Sequence, residues 1–464
     1  MDNKRLINHI KSYSTLEWII FIKIIENKSD EELEKIEPNE IERYNLRNSN
    51  WYSKLLDLAL RLSDREKMVV KFDNIPKKQD YRKFISLYLN SYDNESNFKD
   101  DLNFDLKLAL SKYGYEQLKI YQPPINDLGR LLALYEPKED LFKEFFGLTP
   151  NQIVYFYSLN NSKHSIYEPF DFKNMLRLLN DYDNKINGKK LKKFLDMFSI
   201  TTKKYRLEAK KIGITKNTMK SKRLIETYPI VAFNNGYYLI PSINILLSSL
   251  SYKIFEVINQ QFKDSQRFKN NFGNTFENYV RDLTKFSHSD YFFECNELIK
   301  NDNEDKAEFY LLDNESCLVV ESKLLHIDEE IILNKSAKEL KERFEDTIEK
   351  ALGQLGSCFK KLDIKNKYGI IVIHTHIPLL ENYIQLFKYK YDFLDTVKIV
   401  SIIDYEIMIH NSYDEIIEYF QMPEGNGKRQ IALHFNQRNK YCEKKYVDLI
   451  NELKDNLLMR ENIE

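Results

Sequence analysis

Glycine is scarce in this 464-residue chain, which holds only 12. No glycine-rich phosphate loop is present, and no Gly-x-Ser-x-Gly elbow marks a serine hydrolase. Cysteine is rarer still. Cys295, Cys317, Cys358 and Cys442 stand far apart without a Cys-x-x-Cys pair. That excludes the usual structural zinc patterns and leads us to expect a reducing, cytoplasmic setting. No apolar run approaches the roughly 18 residues of a membrane span, so no membrane association is expected. The N-terminal stretch MDNKRLINHIKSYS has no apolar signal core. Net charge is missing too: 70 basic residues face 71 acidic ones. A global field therefore gives no hint of nucleic acid, and only the distribution of charge can.

The length allows two or three domains with real cores. Residues 1–184 read as helices, with apolar residues at three- and four-residue spacing. Examples are Leu16, Ile19, Ile20 and Ile24, then Trp51, Leu55, Leu58 and Leu62. Breaks are expected at Glu37-Pro38-Asn39, Ile75-Pro76, Pro123-Pro124 and Thr149-Pro150. This half carries no catalytic constellation. It reads as a helical scaffold that meets a protein partner or a second copy of the chain.

Residues 185–250 differ in charge. From 185 to 223 there are fourteen Lys or Arg against two acids, Asp196 and Glu208. Three short helical patterns (Leu191–Phe198, Tyr205–Ile212, Lys216–Glu226) precede Asn235-Gly236, a two-residue type I′ hairpin signal between β-prone runs. Helices followed by a hairpin suggest a basic winged-helix-like segment. Its phosphate-contacting candidates are Lys203, Lys204, Arg206, Lys210, Lys211, Lys216, Lys220, Lys222 and Arg223. The competing reading is a solvated basic face.

Residues 251–422 form the third region, organised around Glu308–Lys323. Two apolar runs, Phe309–Leu312 and Cys317–Val320, flank the turn cluster Asp313-Asn314-Glu315-Ser316, so a β-hairpin is expected. A two- or four-residue loop pairs Asp313 with Ser316 and brings Glu308 opposite Glu321. Directly opposed residues share a sheet face, and Lys323, two residues on, projects from it too. Opposed like charges destabilise a sheet unless something binds between them. A hard divalent cation does so with carboxylate oxygens.

The rest of the region supplies strands and helices around that hairpin. A helix over Asp264–Phe286 buries Phe268, Phe272, Phe276, Val280 and Leu283, with Glu277 at the rim. Tyr291–Ile299 reads as a strand. A helix over Ala337–Leu362 carries Gln354 at the edge of its stripe. Strands at Tyr368–Ile373 and Val397–Ile403 bracket a helix at Leu379–Tyr389. Residues 423–464 read as a linker and a closing helix, Tyr441–Met459. His374 and His376 share a strand-end face, but no third ligand has an informative spacing.

The constellation Glu308…Glu321-Ser322-Lys323 resembles the PD-(D/E)xK nuclease superfamily, with Glu308 where the first carboxylate is usually Asp. The segment Gly273-Asn-Thr-Phe-Glu-Asn-Tyr-Val280 looks like the first helix of that superfamily. The resemblance implies a restriction-endonuclease-like α/β fold, a mixed sheet flanked by helices, preceded here by the mostly α-helical half. It implies a Mg²⁺- or Mn²⁺-dependent (endo)nuclease acting on nucleic acid, DNA ahead of RNA. Glu308, Glu321 and the Ser322 carbonyl would ligate the metal, and Lys323 would orient water or stabilise phosphate charge. Glu277 and Gln354 would assist. A restriction or phage-defence effector is one setting for such an enzyme. The alternative is a non-catalytic nuclease-fold scaffold whose helical half binds a partner.

Overall fold

A computed structural model of the chain describes residues 2–39, 49–62, 74–93, 124–161, 169–211, 223–233, 236–250, 266–295, 307–325, 337–374, 390–422 and 439–461, with positions 43, 46, 254, 384, 387 and 431 between them. These residues are mostly helical, with two small mixed sheets flanked by helices. The chain divides into two units, 1–96 with 123–261 and 446–464, and 97–122 with 262–445.

Capping chemistry and proline set the helices of the first unit: α1 (Asp2–Lys11), α2 (Thr15–Glu26), α3 (Asp30–Ile36), α4 (Ser49–Leu62), α5 (Lys78–Asp93), α6 (Pro124–Tyr135), α7 (Glu139–Phe146) and α8 (Pro150–Asn161). Ser14 and Ser29 each close a capping box, with Glu17 and Glu32 returning to the serine backbone. α7 ends at Gly147 in the left-handed conformation. Pro38 and Pro76 fall between helices and Pro124 and Pro150 open α6 and α8, while Pro123 lies outside the described residues.

The stripe expected on α2 is only partly right. Ile19 is buried, but the core face is Trp18, Phe21, Ile22 and Ile25. The helix is apolar nearly all round, and such a sequence offers no period to read. α4 is likewise buried on every side from Trp51 to Leu60, Lys54 and Asp57 included.

After α8 come β1 (Phe170–Asp171), α9 (Phe172–Tyr182), α10 (Gly188–Phe198), β2 (Ser199–Thr201), α11 (Thr202–Lys211), α12 (Leu224–Thr227), β3 (Ile230–Ala232), β4 (Tyr237–Leu239) and α13 (Ile243–Ser248). The sheet runs β1-β4-β3-β2, with β2 parallel to β3 and the other pairs antiparallel. Because β1 pairs with β4, this sheet crosses the boundary expected at 184/185. The basic segment and the preceding helices belong to one unit.

The expected hairpin is present but its loop is longer. Val231 pairs with Leu239 and Ala232 with Tyr238, and Phe233 N–H donates to the Tyr237 carbonyl at 2.8 Å. Three residues, 234–236, therefore turn the chain, closing on Gly236 at φ 81°. A left-handed glycine ending a three-residue loop competes with the two-residue type I′ turn for the same Asn-Gly signal. Of the third expected helix, Lys216–Glu226, positions 216–222 lie outside the described residues. Only α12 is described there.

The second unit holds α14 (Gln266–His288), β5 (Phe292–Glu294), β6 (Phe309–Leu312), β7 (Ser316–Lys323), α15 (Ala337–Lys361), β8 (Asn366–Ile373), β9 (Val397–Ser401), α16 (Ile402–Ile409) and α17 (Tyr413–Gln421); α18 (Lys440–Glu461) runs on from it into the segment grouped with the first unit. The strands stand in sequence order, β5-β6-β7-β8-β9, antiparallel as far as β7 and parallel beyond it. One sheet face carries Tyr310, Cys317, Val319, Ile371, Ile373, Val397 and Ile399 against Ile348, Leu352 and Leu355 of α15. α14 also packs against β7.

The strand expected at Val397–Ile403 stops at Ser401, whose hydroxyl accepts from Asp404 N–H and starts α16. Most of the expected Leu379–Tyr389 helix lies outside the described residues. Ile384 and Phe387 are described there, and both are buried in the core. Among the described residues no helix is long and apolar enough to cross a membrane.

Candidate functional site

β7 is the middle strand of the five, and seven of its eight residues are buried. Its apolar run without alternation suits a strand covered on both faces. The register is the expected one. Phe309 pairs with Val320, Tyr310 with Val319, Leu311 with Leu318 and Leu312 with Cys317. Asp313 fixes the turn. Its Oδ1 accepts from Glu315 N–H at 2.7 Å and Ser316 N–H at 2.6 Å, while its own N–H donates to the Ser316 carbonyl at 3.1 Å. The ladder ends at Phe309–Val320, so Glu308, in a bend just before β6, and Glu321 on β7 adjoin its last pair.

Glu321 is buried and Glu308 half-buried, and the two differ in their partners. Glu321 is 1 % exposed, and its Oε1 accepts from Lys323 Nζ, two residues on along the same face. Glu308 Oε1 accepts from the Ser322 hydroxyl at 2.8 Å. The Glu308 carboxylate is thus tied to the residue that follows Glu321 on β7, a contact made beyond the last paired residues of the ladder. The Oε2 atom of each carboxylate is buried and makes no hydrogen bond.

Burial pushes the Glu308 carboxyl well above its ordinary range, and the charges of Glu321 and then Glu277 push the same way. Burial also raises Glu321, against which the Lys323 ammonium works. Two carboxylates that repel each other favour binding either a proton or a cation. The donor set is hard oxygen, which fits Mg²⁺ or Mn²⁺; such ions commonly take one or two protein carboxylates and fill the rest of the shell with water and phosphate oxygens. Among the described residues no group of three or more His, Cys, Asp or Glu side chains is placed to hold a metal. The protein's share here is two carboxylates.

The other candidates fall at varying distances from this pair. Glu277 lies on α14, half-buried, and its charge reaches both carboxylates, but its Oε1 accepts from Arg281 Nη2 at 2.6 Å. Gln354 is buried on α15, the helix packed against β7. His374 is buried with its ring edge-on to Phe272 and Phe276, at 5.9 and 5.5 Å, which is a packing role. Its companion His376 lies outside the described residues. Arg281 was missed from sequence, as was the Ser322 side chain. Arg281's only sequence signal was its position one helical turn after Glu277.

Among the basic candidates, Lys203, Lys204, Lys210 and Lys211 are exposed on α11. Lys211 is paired with Glu208 at 2.9 Å. Arg206 is half-buried and donates to the Leu60 carbonyl. Lys216, Lys220 and Lys222 lie outside the described residues. Arg223 is a correction, because it is buried and pairs with Glu226 at 3.3 Å. Glu226 also accepts from Ser53 at 2.6 Å, beside a second buried pair, Asp57 with Arg61 at 2.6 Å. A buried arginine committed to an internal ion pair is not open to phosphate.

No protein-family model, no curated protein and no solved structure matches this chain.

Proposed function

We propose that the second unit is a restriction-endonuclease-like, divalent-cation-dependent nuclease centred on Glu308, Glu321 and Lys323, with DNA ahead of RNA as its substrate. The observation that carries this reading is the carboxylate pair at the central hairpin, Glu321 buried and Glu308 half-buried, each with an oxygen that makes no hydrogen bond, beside a lysine on the same strand. A purely structural strand does not accumulate such groups, since burying a carboxyl costs free energy whether it is ionised or held protonated above its ordinary range.

Glu308 and Glu321 would hold the ion together with the Ser322 carbonyl. When bound, the ion supplies a hydroxide-like nucleophile and neutralises phosphate charge. The protein's own contribution is positional. Ser322 fixes the Glu308 carboxylate through its hydroxyl. Lys323, which donates to Glu321, would hold water or a phosphate oxygen through its ammonium. Exposed Lys203, Lys204, Lys210 and Lys211 give the first unit a basic surface suited to a phosphate backbone. A cytoplasmic setting and a role as a restriction or phage-defence effector are compatible with this reading.

The test is cleavage of linear, circular and single-stranded DNA and of RNA with Mg²⁺ or Mn²⁺. Glu321→Ala and Lys323→Ala should each abolish cutting while leaving the fold intact. A variant that cuts at the wild-type rate refutes the assignment. A wild-type chain that cuts nothing and binds no metal supports the non-catalytic scaffold instead.

A further inference from the structure

Among the described residues, Glu277 is the acidic side chain on α14 whose charge bears on the pair, and it is held by a neighbour. Arg281 follows it by four residues on α14. Its Nη2 lies 2.6 Å from Glu277 Oε1, its Nη1 2.7 Å from Asn278 Oδ1, and its Nε 3.3 Å from Glu294 Oε1. Lys285 completes this surround by pairing with Glu294 at 3.0 Å. The Arg281 side chain is 20 % exposed, so it is fixed on several sides and its charge reaches Glu308 as well. Glu277 follows Phe276, whose ring meets His374 at 5.5 Å, and His374 follows Ile373, the register partner of Lys323; Glu277 therefore stands at the strand ends that carry the carboxylate pair, and its charge bears on both. Glu277 thus lies within electrostatic range of the carboxylate pair with its head group claimed by a guanidinium.

We propose that Arg281 is a positioning residue that holds the Glu277 carboxylate out of the ligand shell of the divalent cation, keeping the site a two-carboxylate one with a deliberately moderate hold on metal. This rests on the reading of Glu308 and Glu321 as the cation's ligands. A planar guanidinium that hydrogen-bonds Glu277 and Asn278 through its two terminal nitrogens, with Glu294 in ion-pair range, sets where the Glu277 side chain points, which a point charge cannot do. Release of Glu277 adds an anionic oxygen donor. Cation affinity in oxygen-ligand sites rises with the number of such donors. The present arrangement leaves shell positions for water and for the phosphate, which a nuclease needs, and Arg281 preserves them.

The experiment is calorimetric titration of the full chain with Mn²⁺, alongside melting by circular dichroism to confirm folding. The variants are Arg281→Gln, Arg281→Lys, Glu277→Gln, Glu277→Gln with Arg281→Gln, and Glu308→Gln with Glu321→Gln. Arg281→Gln should bind Mn²⁺ about tenfold more tightly than wild type, the scale of one added or reoriented ligand. Arg281→Lys keeps the charge but loses the fork, and should show a smaller gain in the same direction. Adding Glu277→Gln to Arg281→Gln should erase the gain.

Unchanged or weaker binding in Arg281→Gln overturns the proposal. So does a gain that survives Glu277→Gln, because simple loss of a positive charge would then explain it. Should the glutamine variant not fold, Arg281→Lys decides by the same criterion, and unchanged or weaker binding in it overturns the proposal. Wild-type binding that persists in the Glu308→Gln, Glu321→Gln chain overturns the site reading itself, and the proposal with it. Loss of binding there with no effect at Arg281 overturns the proposal alone.

Discussion

Replacing Glu308 by glutamine should remove a pH dependence from the stability of the second unit. In the folded chain burial, then the charges of Glu321 and Glu277, keep the Glu308 carboxyl protonated well beyond the ordinary range. In the unfolded chain it ionises near pH ~4.3. Between those two values the native state holds a proton that the unfolded state has lost. Stability must then fall as pH rises, by about 1.4 kcal/mol per pH unit for one retained proton. From pH 5 to pH 7 the loss is about 3 kcal/mol.

Glutamine has the same length, can still accept from the Ser322 hydroxyl, and does not ionise. The variant should therefore gain on wild type by about that amount over the interval, at about 2–4 °C of melting temperature per kcal/mol. The assay is melting of both proteins in EDTA at pH 5, 6, 7 and 8. Titrating groups distant from Glu308 are common to both chains and cancel in the difference. Saturating Mn²⁺ at pH 8 should restore wild type and do little for the variant, since bound cation stabilises only the chain that can hold it. Parallel curves for the two proteins, or a variant that loses ground as pH rises, would refute the buried-proton account.

Four further outcomes are expected. Changing Lys203, Lys204, Lys210 and Lys211 to glutamine should weaken nucleic-acid binding alike for all sequences and reduce the salt slope by about 0.9 for each phosphate no longer neutralised, read by titration at several salt concentrations. Arg223→Ala should instead cost about 3–5 kcal/mol of stability in denaturant melts, because it strands buried Glu226. Gly236→Ala should cost about 1–2 kcal/mol through its left-handed backbone alone, with no atom within 4 Å of the new Cβ. Gly147→Ala should cost visibly more in the same melts, since its Cβ would lie 2.4 Å from the Lys190 carbonyl oxygen.

Legibility in the sequence followed the strength of local constraint. The β6–β7 register was readable because two apolar runs and an even-length turn leave one alignment, and α15 was readable from its continuous stripe. α2 was misread because a helix buried on most sides has no polar face to orient it. Arg223 looked like its basic neighbours because sequence does not show that Glu226, Ser53 and the Asp57–Arg61 pair await it inside. The Ser322–Glu308 hydrogen bond was hidden for another reason. It depends on how a long side chain leaves the end of a ladder, beyond the last residue pair that alternation governs. Arg281 escaped notice because an i, i+4 Glu–Arg pair is common helix decoration until the charges around it are placed.

The position of β7 also has a consequence for the order of events on the ribosome. Its neighbour β6 is made just before it, but β8 follows only after α15, and β9 ends at Ser401. Parallel pairing cannot close until those later residues have left the exit tunnel, and domains fold as units when their parts are complete. A nascent chain that already carries Glu308, Glu321 and Lys323 therefore presents them on an unfinished hairpin, wet and unaligned. The burial of Glu321 on the middle strand is completed only when β8 docks. Any activity belonging to this site is withheld from the chain during its own synthesis, beside the messenger RNA that encodes it.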